Sequence, residues 1–341
     1  MNSMALYYPE GHQKHFLHAH PERPERVEVI KNGLMGIGLW DNCPQVSSIE
    51  LDKAILESVH DHNYLAILER ASRKAQMLDP DTYTTLDSWE LALNAAGGGV
   101  RIADRVWERE AGSGFALTRP PGHHATGNRG MGFCLINNVA VAAEYLLQVK
   151  GAQKVAILDL DLHHGNGTQD IFWERSEVCY VSIHQAPFYP GTGALYETGS
   201  GPGENTTLNL PIPRFSGDNA YTILNKEIIL PYLEDQKADM LLVSYGFDTH
   251  WKDPLGSMQV SAGCIYELMK DLKIWVERFC SGRLAVFLEG GYDLEAGLAC
   301  GQAIGAALCE IEWEDSLGDS PDGERDAWRE TLSEAYQLLD Y

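Results

Sequence analysis

The stretch Val155-Ala-Ile-Leu-Asp-Leu-Asp-Leu-His-His-Gly-Asn-Gly-Thr168 begins apolar and then turns polar at every second residue: Asp159, Asp161, His163. In an extended chain alternate side chains point the same way. Asp161 and His163 are therefore expected to lean into one pocket, and a carboxylate with an imidazole is half of a zinc or manganese site. Three other places offer chemistry of the same kind: the adjacent imidazoles of Pro121-Gly-His-His124, the carboxylate ending Tyr245-Gly-Phe-Asp248, and the phenol of Glu289-Gly-Gly-Tyr292. Together they suggest hydrolysis. Asp161, His163 and Asp248 would hold a divalent metal and leave room for a water and a carbonyl oxygen. A histidine would take the water proton and hand it to the leaving amine, and Tyr292 would donate to the forming oxyanion. Two oxygen ligands also admit iron, cobalt or manganese.

These residues need elements that converge. The apolar run before Asp159 reads as a strand buried on both faces of a parallel sheet. Further strands are expected at Phe115–Arg119, Val178–His184, Met240–Phe247 and Leu284–Leu288, and the chain opens with a short apolar run, Ala5 to Tyr8. Helices are expected at Val27–Leu39, Asn63–Met77, Ser88–Val106 with Ser88 as N-cap, Asn137–Val149, Tyr221–Leu233 and Cys264–Cys280. Strand, helix and strand over 115–168 form a parallel crossover. The strong strands end in polar clusters or glycine turns, which predicts an α/β doubly wound sheet with its site along one edge.

Composition sets outer bounds. The chain has 341 residues, 44% hydrophobic and 22% charged, and a net charge of −23. That balance lacks the basic stripe a nucleic-acid partner requires and is compatible with cationic substrates. There is no run of about 18 apolar residues, so no membrane partner is expected. The first eight residues lack the basic region and apolar core of a signal peptide. Seven cysteines without a Cys-x-x-Cys pair form no disulfide framework. These features point to a cytoplasmic setting. The histidines His12, His15, His18 and His20 read as a polar surface loop. Residues 1–308 are expected to form one catalytic domain. Residues 309–341 would be an acidic linker, Glu310–Asp326, and a final helix, Trp328–Leu339, docked on that domain. A homo-oligomer is compatible with the sequence.

Taken together, Arg119-Pro-Pro-Gly-His-His-Ala125, Gly132-Phe-Cys-Leu-Ile-Asn-Asn138, Asp159 to Thr168, Ser182-Ile-His184, Tyr189-Pro-Gly-Thr-Gly193, Asp253-Pro-Leu-Gly256 and Leu288-Glu-Gly-Gly-Tyr292 resemble the zinc-dependent deacetylase family. That family unites histone deacetylases, acetylpolyamine amidohydrolases and acetoin-utilisation proteins. The resemblance runs from residue 20 to about 305 and implies a three-layer α/β/α domain with a mostly parallel eight-stranded sheet, shared with arginases. By position it implies that Asp161, His163 and Asp248 are zinc ligands, His124 the general base, His123 its electrostatic partner and Tyr292 the transition-state tyrosine. It implies that Asp159 orients His123 and, with Ser182, contacts a structural potassium ion. Phe133 and Tyr189, with Gly132 beside them, match the walls of an acyl-lysine tunnel. Arg26 corresponds to a basic residue near an acetate exit and Asp81 to a rim carboxylate. Asn166 stands where the nuclear enzymes carry an aspartate, as in the second class and many bacterial members, and a neutral partner stabilises a protonated His124 less.

Within the family the substrate is expected to be an acylated lysine side chain of a protein or peptide, with an acetylated polyamine as the alternative. The vertebrate polyamine enzyme has a glutamate gatekeeper where this chain has Leu255, and the bacterial amidohydrolases carry a long insertion where this chain has only Asp79–Thr85. An arginase-like two-manganese site would need further Asp and His ligands around its metals. A catalytically dead acyl-ligand sensor would not need Tyr292 and both tandem histidines.

Overall fold

In the computed structural model, which describes residues 4–339, the apolar runs become eight strands of one sheet. These are β1 (Met4–Tyr7), β2 (Gln45–Val46), β3 (Ser113–Ala116), β4 (Val155–Asp159), β5 (Val178–Gln185), β6 (Thr207–Ile212), β7 (Met240–Tyr245) and β8 (Leu284–Leu288). Their order is β2-β1-β3-β8-β7-β4-β5-β6, and every neighbouring pair is parallel. The helices are α1 (Glu25–Gly36), α2 (Lys53–Val59), α3 (His62–Ser72), α4 (Ser88–Trp107), α5 (Asn138–Gln148), α6 (Asn166–Phe172), α7 (Asp218–Leu224), α8 (Leu230–Gln236), α9 (Ala262–Phe279), α10 (Leu294–Leu308) and α11 (Arg329–Leu339). The parallel α/β architecture expected from the sequence is present, and among the described residues every strand of the sheet is parallel.

Both faces of the sheet are covered, and this is why the central strands are apolar without alternation. Ala156 and Leu158 of β4 and Leu241 and Val243 of β7 pack in a core shared with α1, α7–α10 and α11. Val155 and Ile157, with Met240 and Leu242, point the other way, into a core shared with α2–α6. Among the described residues no helix is long and apolar enough to cross a membrane.

Several elements lie elsewhere than expected. Strand β3 ends at Ala116 rather than Arg119. Arg119 is instead a buried cation that pairs with Glu22 at 2.7 Å. Asp87, not Ser88, occupies the N-cap position of α4; the Ser88 hydroxyl accepts the Thr85 N–H at 2.6 Å. The edge strands β2 and β6 carry too little pattern to be read: β2 is two residues long, and β6 contains Pro211, which an edge tolerates. Helix α10 is hidden in its sequence by Gly297, Gly301 and Gly305. A Cβ at Gly301 would meet Ile30 of α1, and one at Gly305 would meet Leu34, so these glycines allow two helices to pack closely. Of the histidine run, His18 is exposed and His20 half-buried as a surface loop requires, but the first two histidines are not. His12 and His15 are buried, His12 against Tyr8 and Glu28, and His15 against Ser88 at 2.7 Å.

The segment after α10 is pinned along its length. Asp315 accepts the Gly263 N–H, Glu324 accepts the Asn219 and Ala220 N–H groups, and Trp328 and Ala335 enter the core. Expectations for residues 1–3, 340 and 341 lie outside the described residues.

Candidate active site

Strands β3, β8, β7 and β4 are consecutive in the sheet and parallel, so the segments leaving their carboxyl ends meet in one place. They supply the tandem histidines, Tyr292, Asp248, and the Asp161–His163 pair respectively. The ligand atoms of Asp161, His163 and Asp248 all lie within 4.8 Å of one another. His163 Nδ1 is 3.2 Å from Asp161 Oδ1 and 3.3 Å from Asp248 Oδ2. The backbone holds the carboxylates in place: Asp161 accepts the His163 N–H at 2.8 Å and the Gly290 N–H at 2.8 Å, while Asp248 Oδ1 accepts the Leu162 N–H at 3.2 Å. Asp248 Oδ2 is buried and faces His163 Nδ1, with no other polar partner among the described residues. A Cβ at Gly290 would lie against Asp248 Oδ2 and Asp161 Oδ2, so the glycines of Glu289-Gly-Gly-Tyr292 let the backbone pass the carboxylates.

The neighbouring imidazoles carry opposite charge preferences. His123 Nδ1 donates to Asp159 Oδ2 at 3.1 Å. Burial opposes the charged form of His123, but Asp161, Asp159 and Glu289 outweigh it and raise the group to about 10. Burial also opposes charge on His163, yet the hydrogen bonds and charges of Asp161 and Asp248 raise it to about 9. For His124, burial and the two flanking imidazoles hold the group well below the usual histidine range. Its Nδ1 donates to Asn166 Oδ1 at 2.8 Å, which leaves Nε2 with a lone pair. A neutral histidine thus sits among cations and carboxylates.

A cavity of about 250 Å³ joins these groups. Of the residues singled out from the sequence, His123, His124, Gly132, Phe133, His163, Tyr189, Leu255, Tyr292 and Asp81 line it. Asp81, Tyr189 and Leu255 are exposed and form its mouth. Burial, against the Arg26 charge, holds the Tyr292 phenol far above the usual tyrosine range, so it remains a donor. Asp159, Asp161 and Asp248 are buried around the cavity floor. Ser182 lies opposite Asp159 in the β4–β5 ladder and bonds His184 at 2.9 Å. Arg26 does not line the cavity. It is fully buried behind Tyr292, donates to the Glu289 and Gly291 carbonyls, and pairs with Glu22 at 3.1 Å.

Reading the sequence for chemistry missed the supporting residues. The Phe188 ring stacks on His163 with centroids 5.4 Å apart. Its only signal was the aromatic pair in Pro-Phe-Tyr-Pro. Asp253 accepts the Tyr292 N–H at 2.6 Å and the Leu255 N–H at 2.9 Å, and so ties Leu255 at the mouth to the buried Tyr292 segment. Glu289 accepts the Gly122 and His123 N–H groups at 2.7 and 3.0 Å and aims the tandem histidines. A carboxylate inside an apolar strand end was the available clue. His164, the second imidazole of His163-His164, turns away to Thr192 and Gln169.

Comparison with known proteins agrees with this geometry. Residues 20–308 match the family model described as "Histone deacetylase domain". A protein named "Probable deacetylase" from Archaeoglobus fulgidus is 40% identical over 294 residues, 84% of this chain and 81% of its own length. Histone deacetylase 14, chloroplastic, from Arabidopsis thaliana is 39% identical over 330 residues, covering 92% of this chain and 77% of its own. The crystal structure of the HDA15 HD domain superposes with a TM-score of 0.91 at 33% identity, covering all of this chain and 96% of that one. A sheet that gathers its polar strand ends as described, with the family model matched over residues 20–308 and relatives of about 40% identity over most of the chain, leads to one conclusion: the chain belongs to the histone deacetylase family.

Proposed function

We propose that the chain is a zinc-dependent amidohydrolase that removes an acetyl or other acyl group from the side-chain amine of lysine. The observation that carries this reading is the convergence of Asp161, His163 and Asp248 within 4.8 Å, beside a neutral His124. The three residues fit a zinc ion. Ligand bonds of about 2.0–2.2 Å around a tetrahedral centre separate the ligand atoms by roughly 3.3–3.6 Å, close to the 3.2 and 3.3 Å found about His163 Nδ1. Asp248 Oδ2, buried with no polar neighbour but the His163 ring at 3.3 Å, is an atom such an ion would satisfy. When bound, the ion supplies a Lewis acid that acidifies water and polarises a carbonyl.

The remaining steps belong to side chains. His124 Nε2 takes the proton of the attacking water and later gives it to the departing lysine amine. His123, held charged by Asp159 and Asp161, stabilises negative charge nearby. The Tyr292 phenol donates to the oxyanion, with Arg26 behind its ring at 5.0 Å. Phe133 and Tyr189 enclose the apolar lysine stem, Gly132 leaves room between them, and the Asp81 carboxylate accepts from the substrate backbone at the mouth. Asn166 keeps His124 in the tautomer it needs. Asp159 and Ser182, adjacent across two strands, are assigned to a structural potassium ion.

A second reading, an acetylated polyamine, is favoured by the exposed Asp81 at the mouth and the net charge of −23. Leu255 weighs against it. A second ammonium beside Leu255 at the mouth would shed part of its water without gaining an acidic partner there, whereas leucine suits methylenes. We further take residues up to Leu308 as the catalytic unit and 309–341 as a strap across it. All seven cysteines are free thiols, and we place the protein in the cytoplasm. Specificity constants for an acetyl-lysine peptide and for N8-acetylspermidine decide the substrate: the peptide is expected to win, and a polyamine advantage of about tenfold would overturn the assignment.

A further inference from the structure

The one pair of sulfurs in contact among the described residues lies away from the catalytic pocket. Cys43 enters β2, Cys309 follows α10, and their Sγ atoms are 3.9 Å apart across 266 residues of sequence. Cys309 is also close to the first residue of β1, since the Met4 N–H points to its sulfur. In a parallel sheet these positions mark the amino ends of the strands. The pocket occupies the carboxyl ends, so the sheet's full strand length separates the two.

The two thiols differ in exposure and surroundings. Cys43 is 8% exposed, while Cys309 is partly open to solvent. Lys273 brackets Cys309, with its Nζ 2.6 Å from the Leu308 carbonyl and 2.9 Å from Glu310. The hydrogen bond between the two sulfurs, with the Met4 N–H and the Lys273 charge, lowers the Cys309 thiol to about 7 against burial and Glu310, while that same bond and burial raise Cys43. Burial instead raises Cys179, Cys280 and Cys300 to about 12, and Cys134 and Cys264 well above the usual range. An attacking thiol whose pKa lies near ambient pH reacts fastest with a disulfide.

We propose that Cys43 and Cys309 are a reversible dithiol–disulfide site, with Cys309 the attacking thiol, Cys43 the resolving thiol and a low-molecular-weight disulfide the oxidant. The Cys309 thiolate attacks one sulfur of the oxidant, forming a mixed disulfide and expelling one thiolate. Cys43 then loses its proton to water and attacks the Cys309 sulfur, releasing the second thiolate. Two protein thiols are oxidised, and one disulfide is reduced to two thiols. Closure to a sulfur–sulfur bond of about 2.05 Å asks the two atoms to approach by about 1.9 Å, a movement available to side chains at a helix end and a loop. The product ties the entry of an edge strand to the end of α10.

The test incubates the full protein with glutathione disulfide and follows it by intact mass, peptide mapping and melting. The expected product has lost two hydrogens, joins the Cys43 and Cys309 peptides, melts about 5 °C or more higher, and keeps its deacetylation rate. Cys43→Ser is expected to stop at a stable glutathione adduct on Cys309, and Cys309→Ser to form neither adduct nor cross-link. Seven thiols still free after the incubation, a cross-link between other cysteines, or an adduct that forms equally well in Cys309→Ser would overturn the proposal.

Discussion

Replacing Gly132 by alanine tests whether the placement of His124 governs the rate. Gly132 has φ of +55°, and a Cβ there would lie 2.9 Å from His124 Cγ, nearer still to Cδ2, and 3.1 Å from the Tyr189 hydroxyl. Carbon–carbon contacts settle near about 3.5–4.0 Å, so the imidazole must retreat by roughly 1 Å. It has little room, because the His123 ring is 4.1 Å away and Asn166 Oδ1 is 2.8 Å from Nδ1. A displacement of about 1 Å at a catalytic group costs on the order of 10²-fold in rate. The left-handed backbone adds about 1–2 kcal/mol to the cost of folding whatever the neighbours. Gly38→Ala separates the two effects: its φ is +74°, and nothing lies within 4 Å of its built Cβ. Both variants should melt a few degrees lower, and only Gly132→Ala should lose turnover, measured as kcat/KM on a fluorogenic acetyl-lysine peptide. Gly132→Ala protein that is folded and within threefold of the parent rate would refute the assignment of His124 as the base.

Other perturbations have equally definite outcomes. Tyr292→Phe should keep its melting temperature and bound metal while kcat falls by ~10²–10³, the usual loss of an oxyanion donor. An unchanged kcat would remove the phenol from the reaction. Leu255→Glu should move the ratio of specificity constants toward acetylspermidine by about fivefold, the size of one partly exposed ion pair, as measured by paired substrate assays. His60 makes stability acid-sensitive: its Nε2 accepts the Asn137 N–H at 2.9 Å and its Nδ1 donates to Thr126. Burial, against that Thr126 bond, lowers it to about 4. The folded form therefore stays neutral while the unfolded chain binds a proton below about pH 6.5. Stability should be full above that pH and fall toward pH 4 by about 1.4 kcal/mol per unit from this one group. Denaturant titrations from pH 7 to 5 should show a slope in His60→Gln that is smaller by a fraction of a proton near pH 7 and by about one proton near pH 5, and equal slopes throughout would contradict the neutral assignment.

How far the sequence carried depends on what each residue does. Strands buried on both faces, such as β4 and β7, are legible because burial demands an apolar run. Asp161 and His163 are legible because a period of two puts them on one side of an extended chain. Edge strands are not, because a two-residue β2 and a proline-bearing β6 are defined by partners distant in sequence. Helix α10 is concealed for a related reason: its glycines answer to α1 and violate local helix propensity. The buried histidines His12 and His15 read as exposed polar side chains until Glu28, Ser88 and Glu22 are brought to them by the fold. Supporting residues such as Asp253 and Glu289 act through backbone N–H groups, and a chain of letters does not show where those groups point. The chemistry-bearing side chains were thus easier to find than the residues that aim them.

The central claim is that Asp161, His163 and Asp248 hold a single catalytic zinc ion. Titration of chelator-stripped protein with Zn²⁺, followed by hydrolysis of the acetyl-lysine peptide, tests it most directly. Activity is expected to rise in proportion to added metal and level off at one ion per chain, with no recovery in Asp248→Asn. Full turnover by protein that carries no transition metal, or a plateau reached only at two ions per chain, would contradict it.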